Sequence, residues 1–129
     1  MSGRYLLDSN IVIALFSGEP AVSEQLSAAE YSALSVIVYG ELLAGALRSA
    51  RVEDNVERLR RFARMVPLLC CDSSTAEEFA SISVRLRRKG KPIPENDVWI
   101  AATARQHGLT LVSRDQHFAE VDDVTTVAW

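Results

Sequence analysis

Arg4-Tyr5-Leu6-Leu7-Asp8-Ser9-Asn10-Ile11-Val12-Ile13-Ala14-Leu15 decides how this chain is read. Tyr5, Leu6 and Leu7 form a short apolar run that stops on a carboxylate, Asp8. Beyond it, Ile11, Val12, Ala14 and Leu15 recur at helical spacing. The stretch predicts a buried strand over Arg4–Asp8 that hands over to a short helix over Asn10–Ser17. A strand passing directly into a helix is the repeating unit of α/β proteins.

The same alternation runs to the end of the chain. Gly18-Glu19-Pro20 breaks the first helix, Pro20 suits a first helical turn, and a second helix is predicted over Ala21–Ala29. A brief strand over Tyr31–Leu34 precedes Ser35, which reads as the N-cap of a long helix over Val36–Arg48. Val52–Val66 is a charged amphipathic helix with Val56, Leu59, Phe62, Ala63 and Val66 on one stripe. Pro67–Cys71 reads as a third strand. Asp72, Ser73 or Ser74 caps a helix reaching about Lys89, and Gly90–Pro94 is a loop too short to link domains. Asn96–His107 is a further helix closed by Gly108. Leu109–Ser113 is a fourth strand, Gln116–Val121 a short helix or turn, and Val124–Val127 a fifth strand. This order predicts one α/β domain over residues 1–129, with a parallel sheet covered by helices on both faces. Ligands of such sheets gather beyond the carboxyl ends of the strands.

Composition narrows the class further. With 129 residues, 48% hydrophobic and 24% charged, the chain has the make-up of a globular domain and enough length for a core. Its net charge of -3 argues against a non-specific coat for nucleic acid, which is usually basic, but leaves room for an enzyme that meets phosphodiesters through cations. Glu41 interrupts the longest apolar run, so no membrane span is expected. The opening Met1-Ser2-Gly3-Arg4 leads into the first strand without a signal-peptide core. Adjacent Cys70 and Cys71 are poorly placed to bridge, and with His107 and His117 they lack zinc-site spacing. A cytoplasmic, disulfide-free protein is expected.

Four carboxylates then stand out, because each borders or interrupts an apolar run: Asp8, Glu41, Asp97 and Asp115. Setting an unpaired polar group against a core costs about 2 to 7 kcal/mol, and an ion costs more. Local roles exist for three of them. Asp8 can cap the following helix, Asp97 can complement a helix dipole, and Asp115 can form a turn. Glu41 has Ile37, Val38, Ala44 and Gly45 as its helical neighbours, so no basic side chain pairs with it locally, and a buried role is expected. Its flanking Gly40 and Gly45 read as packing devices. A hard divalent cation would neutralise all four acids together. Ser9 and Ser113 lie beside two of them. His107 reads as a helix-terminal residue and His117 as an exposed turn histidine able to touch substrate. Arg58, Arg60, Arg61 and Arg64 read as a solvated helix face, and Trp99 and Trp129 as core or interface.

Four ordered segments resemble the motifs of the PIN-domain family: Leu6–Leu15, Tyr39–Ala46, Pro94–Ala104 and Leu109–Phe118. In size and style the chain is similar to the VapC toxins of VapBC toxin–antitoxin pairs. The resemblance implies an α/β/α sandwich on a five-stranded parallel sheet and a Mg2+- or Mn2+-dependent endoribonuclease acting on tRNA, rRNA or mRNA. It also implies a cognate VapB-type antitoxin and a homodimer. Asp8, Glu41, Asp97 and Asp115 map onto the family's acidic positions, with Asn10 and Ser113 as supporting polar residues. Asp8 and Asp97 are then the expected principal metal ligands. Glu41 is expected to bind directly or through water, and Asp115 as a second-metal or outer partner of a cation that activates water. Two other classes start from the same residues. One is a phosphatase-like hydrolase with Asp8 as nucleophile, although Asn10 stands where that chemistry wants a second Asp. The other is a catalytically inactive PIN-like binding module.

Overall fold

Leu6 and Leu7 are 0% and 1% exposed, so successive side chains pointing to opposite sides of one strand are both covered. That requires layers on both faces of the sheet, and the computed structural model, which describes residues 3–129, has them. Met1 and Ser2, part of the opening that reads as leading straight into a strand, lie outside the described residues. Among the described residues the order is β1 (Arg4–Leu7), α1 (Ser9–Phe16), α2 (Pro20–Ala28), β2 (Tyr31–Ser35), α3 (Val36–Leu47), α4 (Val52–Met65), β3 (Leu68–Leu69), α5 (Ser73–Arg88), α6 (Glu95–His107), β4 (Thr110–Val112), a 3-10 turn (Gln116–Glu120) and β5 (Thr126–Val127). The strands form one parallel sheet in the order β3-β2-β1-β4-β5. The α/β/α architecture read from the sequence is the one observed.

Local chemistry accounts for most element ends. Ser35 finishes β2 and caps α3, its buried hydroxyl accepting the Val38 N–H at 3.1 Å. Asp72, rather than Ser73 or Ser74, caps α5 in a reciprocal arrangement with Thr75. Gly108 ends α6 at φ 63°, a left-handed conformation that glycine adopts without a Cβ clash. The largest departures from the predicted bounds are at the sheet edges. β3 keeps only Leu68 and Leu69 of the expected Pro67–Cys71, because its partner β2 passes into α3 at Val36 and offers nothing to pair with Cys70. β5 is likewise limited to Thr126 and Val127, which pair with Leu111 and Val112 at the end of β4.

The core sits between the sheet and both helical layers, with Ile11, Val12, Leu34, Val38, Ile82, Ile100 and Leu111 at 2% exposure or less. Each such side chain stabilises the fold by about 1.5 to 3 kcal/mol relative to exposure. Trp99 stacks on Phe79 with centroids 4.0 Å apart, and Trp129 meets Tyr5 edge-on at 5.0 Å, so both tryptophans pack against neighbours. Arg58 lies over the Phe16 ring and donates to its carbonyl, so this residue of the basic helix face is anchored rather than free. Cys70 and Cys71 are exposed free thiols. No helix of the described residues is long and apolar enough to cross a membrane.

Candidate functional site

Connections from β1 lead outward to β2 and β3 on one side, whereas β4 and β5 lie on the other. The sheet therefore changes direction between β1 and β4, where α/β sheets open a crevice beyond the strand ends. Asp8 and Ser113 are the residues that immediately follow these two strands. The Asp8 N–H extends the ladder by donating to the Val112 carbonyl at 3.0 Å. Asp8 is only 6% exposed. Oδ1 accepts the Ser9 N–H at 2.8 Å, capping α1, while Oδ2 accepts the Ser113 hydroxyl at 2.7 Å. Asp8 thus caps a helix and enters the site with the same side chain.

From Asp8 a circuit of contacts runs through every acid singled out in the sequence. The Ser9 hydroxyl donates to Glu41 Oε1 at 2.6 Å, and Asn96 Nδ2 donates to Glu41 Oε2 at 3.2 Å. Asn96 is the chain neighbour of Asp97 in the first turn of α6. On the other side, Ser113 Oγ also accepts the Asp115 N–H at 3.0 Å. Asp115 caps the 3-10 turn by accepting the His117 N–H at 2.9 Å. The His117 ring closes the circuit, with Nδ1 3.1 Å from both Asp97 Oδ2 and Asp115 Oδ1. Asn10 supports the rim: its Oδ1 accepts the Arg114 N–H, and its Nδ2 lies 3.5 Å from Ser113 Oγ.

Glu41 departs from the sequence expectation. It is half-buried rather than enclosed, and neutral donors, not a burial-induced partner, hold both its oxygens. Asp97 and Asp115 are also half-buried, leaving Asp8 as the one acid of the four set fully against the core. Gly40 and Gly45 are not packing devices. A Cβ added to either meets no atom within 4 Å. Each instead borders a groove beside Glu41. Gly45 lies in a cavity of about 560 Å3 walled by Ile13, Phe16, Leu42 and Leu59. Gly40 lies in a more open one of about 740 Å3 that also includes Asn96 and Arg48. Two further site residues are Asn96, which carries no weight in the sequence, and His117, which reads there only as an exposed turn histidine able to touch substrate. They lie one residue before Asp97 and two after Asp115.

Electrostatics bind the acids into one unit. Burial pushes the Asp8 carboxyl above its ordinary value; bonds from Ser113 and Ser9 oppose that, and repulsion from Asp97 and Glu41 adds to it. Asp97 is raised by burial too. The His117 contact counters the rise, and the charges of Asp115 and Glu41 reinforce it. Ligand atoms of Asp97, Asp115 and His117 lie within 4.8 Å of one another. That set joins two carboxylates to one imidazole and does not include Asp8 or Glu41, which are tied to it by repulsion and by the hydrogen-bond circuit; its carboxylates suit a divalent cation.

Known proteins share this arrangement of elements. The PIN domain family matches residues 5–124. Ribonuclease VapC2 of Haemophilus influenzae is 36% identical over 131 residues, covering 98% of each chain. A tRNA(fMet)-specific endonuclease VapC of Shigella flexneri is 30% identical over 129 residues, again 98% of each. Among solved structures, a chain of DNA-bound VapBC from Salmonella typhimurium superposes with a TM-score of 0.91 at 25% identity, spanning 100% of this chain and 99% of that one. A sheet that reverses at β1 and β4, four acids gathered at that reversal and full-length likeness to VapC proteins agree with one another: the chain belongs to the PIN-domain family, among its VapC members.

Proposed function

We propose that this protein is a Mg2+- or Mn2+-dependent endoribonuclease toxin of the cytoplasm, which cuts cellular RNA and is neutralised by a cognate VapB-type antitoxin. The observation that carries this reading is the closed circuit from Asn96 through Glu41, Ser9, Asp8, Ser113, Asp115 and His117 to Asp97. The names of the VapC relatives, ribonuclease and tRNA endonuclease, support RNA as the substrate class.

Asp8 and Asp97 are the principal holders of the cation in this reading, with Glu41 binding directly or through water and Asp115 in a second or outer position. When bound, the cation supplies an acidified water and positive charge facing the scissile phosphate. The chain's own residues set the geometry. Ser9 and Ser113 fix both Asp8 oxygens, Ser9 and Asn96 fix both Glu41 oxygens, and His117 holds Asp97 against Asp115 despite their repulsion. Oxygen donors suit Mg2+ better than imidazole does, which leaves His117 as a positioning residue. An Asp8-nucleophile phosphatase is disfavoured, since Asn10 stands where that chemistry wants a second Asp. That reading requires an acid-stable aspartyl-phosphate, which the nuclease reading excludes.

The apolar cavity between α1, α3 and α4 is the proposed antitoxin seat. Ile13 is 56% exposed on its wall, and Glu41 at its edge offers a partner to a basic antitoxin residue. The similar solved structures include VapBC of Salmonella typhimurium and VapBC-1 of nontypeable Haemophilus influenzae, which supports such a partner. A homodimer is proposed as the assembly, supported by exposed Met65 and Leu68 beside the β3 edge. The test is incubation of wild type and Asp97→Asn with total RNA in Mg2+, in Mn2+ and in chelator. Cleavage confined to wild type with metal is the expected result. Equal cleavage by Asp97→Asn, or cleavage in chelator, would refute the reading.

A further inference from the structure

Among the described residues, one stripe of α3 is left without a covering element. Ile37, Gly40, Glu41, Ala44 and Arg48 all border the open groove of about 740 Å3, with Ser9 and Asn96 bordering it from the ends of α1 and α6. These α3 positions recur at three- and four-residue steps, so they form one continuous wall. The wall starts at Glu41, in the acid circuit, and ends at Arg48, two helical turns on and about 10 Å along the axis. Gly40 and Ala44 keep the floor between them low. Gly40 is exposed in a helix interior, has no left-handed φ, and a Cβ there would meet nothing within 4 Å. Glycine at such a place lowers helix propensity with no return inside the chain. A return outside it, the close approach of a ligand, accounts for the choice.

Arg48 gives that ligand its charge. Among the described residues it is the one cation bordering the groove, it is exposed, and it makes no ion pair; Arg60, Arg61, Arg87 and Arg88 are also unpaired but lie away from the groove. An unpaired guanidinium at one end of a groove whose other end is the acid site matches a phosphate chain. One phosphate lies at the cation-holding acids and another at Arg48.

We infer that the Gly40–Arg48 groove seats the RNA backbone beside the scissile phosphate, with Arg48 as its phosphate anchor and Gly40 as the point of closest approach. This inference rests on the endoribonuclease reading above. A purely structural alternative exists, in that a cation at a helix C-terminus complements the dipole. It predicts a change in stability with no change in RNA binding.

The experiment measures binding of a labelled single-stranded oligoribonucleotide of mixed sequence by the uncutting Asp97→Asn protein over a salt series, alongside KM and kcat on total RNA in the otherwise wild-type chain. Adding Arg48→Gln should reduce the slope of log K against log salt by about 0.7, the share of one phosphate contact on a single strand. It should also raise KM with kcat nearly unchanged. Arg48→Lys should restore the slope, and Arg61→Gln, on the exposed face of α4, should leave it alone. Gly40→Ala should raise the melting temperature yet weaken RNA binding, a combination that a structural role for Gly40 does not give. An unchanged slope in Arg48→Gln, or unchanged RNA binding in Gly40→Ala, overturns the inference. So does a loss confined to antitoxin affinity, which would make the groove a protein seat. Absence of cleavage by the wild type with metal would overturn the nuclease reading instead, and absence of any RNA binding would overturn both.

Discussion

The Ser9 hydroxyl donates a 2.6 Å hydrogen bond to Glu41 Oε1, while the Ser9 N–H donates to Asp8 Oδ1. One small residue therefore ties an acid at the end of β1 to an acid in the middle of α3, across the mouth of the crevice. Ser9→Ala keeps the backbone half of this tie and removes the other half. A hydrogen bond to a charged group contributes about 1.5 to 3 kcal/mol. If most of that is spent on orienting Glu41, RNA cleavage should fall by about tenfold or more in kcat. Metal-free melting should change little, because the Asp8 cap survives. Steady-state cleavage rates set against a thermal melt provide the check, and wild-type kcat in Ser9→Ala would show that Glu41 needs no such restraint.

Burial and the neighbouring charges of Asp97 and Glu41 raise the Asp8 pKa in the folded state. The folded protein then binds more protons than the unfolded chain, so this group's contribution to stability is greatest below the ordinary carboxylate value near 3.8 and is lost as pH rises through the folded pKa. Asp97, raised for similar reasons, acts in the same direction. Asp8→Asn in chelator should therefore melt a few degrees above wild type at neutral pH, with the gap narrowing as the solution is acidified. It should also lose RNA cleavage. A gap that stays constant with pH, or a variant less stable than wild type at pH 7, would contradict the repulsion described for this site.

Gly45 is exposed within α3, and a Cβ there meets open space in the apolar cavity beside Ile13 and Phe16. Glycine in a helix interior is less favourable than alanine by about 1 kcal/mol. Gly45→Ala should thus stabilise the free protein by about that amount, read as a higher denaturant midpoint at unchanged slope. If the cavity seats the antitoxin, the same methyl should weaken the complex by about tenfold. Calorimetric titration with the antitoxin measures the second effect, and an unweakened complex would place the antitoxin elsewhere.

Sheet and site differed in how legible they were from the sequence. The strand–helix alternation, the caps at Ser35 and Gly108 and the doubly buried Leu6-Leu7 pair are local signals, and local signals predicted the parallel α/β sandwich. The edge strands were overestimated because their length is set by where β2 and β4 stop, which no residue of β3 or β5 encodes. Asp8 and Asp115 read as either caps or site residues, and they are both, since one carboxylate has two oxygens to give. Asn96 carries no signal in the sequence and His117 reads only as a turn histidine able to touch substrate, because their contacts run across the fold, Asn96 to Glu41 and His117 to Asp97. Gly40 and Gly45 read as packing devices because a helix-interior glycine signals close approach, whereas in the fold the space beside each is open.

The proposed centre holds a divalent cation on Asp8 and Asp97, with Glu41 binding directly or through water and Asp115 in a second or outer position. Calorimetric titration of Mn2+ into wild type, Asp8→Asn, Asp97→Asn and His117→Gln tests it without reference to RNA. The expected result is loss of measurable binding in both aspartate variants and a weakening of about 10- to 100-fold in His117→Gln, the range for a residue that orients ligands. Mn2+ affinity at the wild-type level in both Asp8→Asn and Asp97→Asn would contradict it.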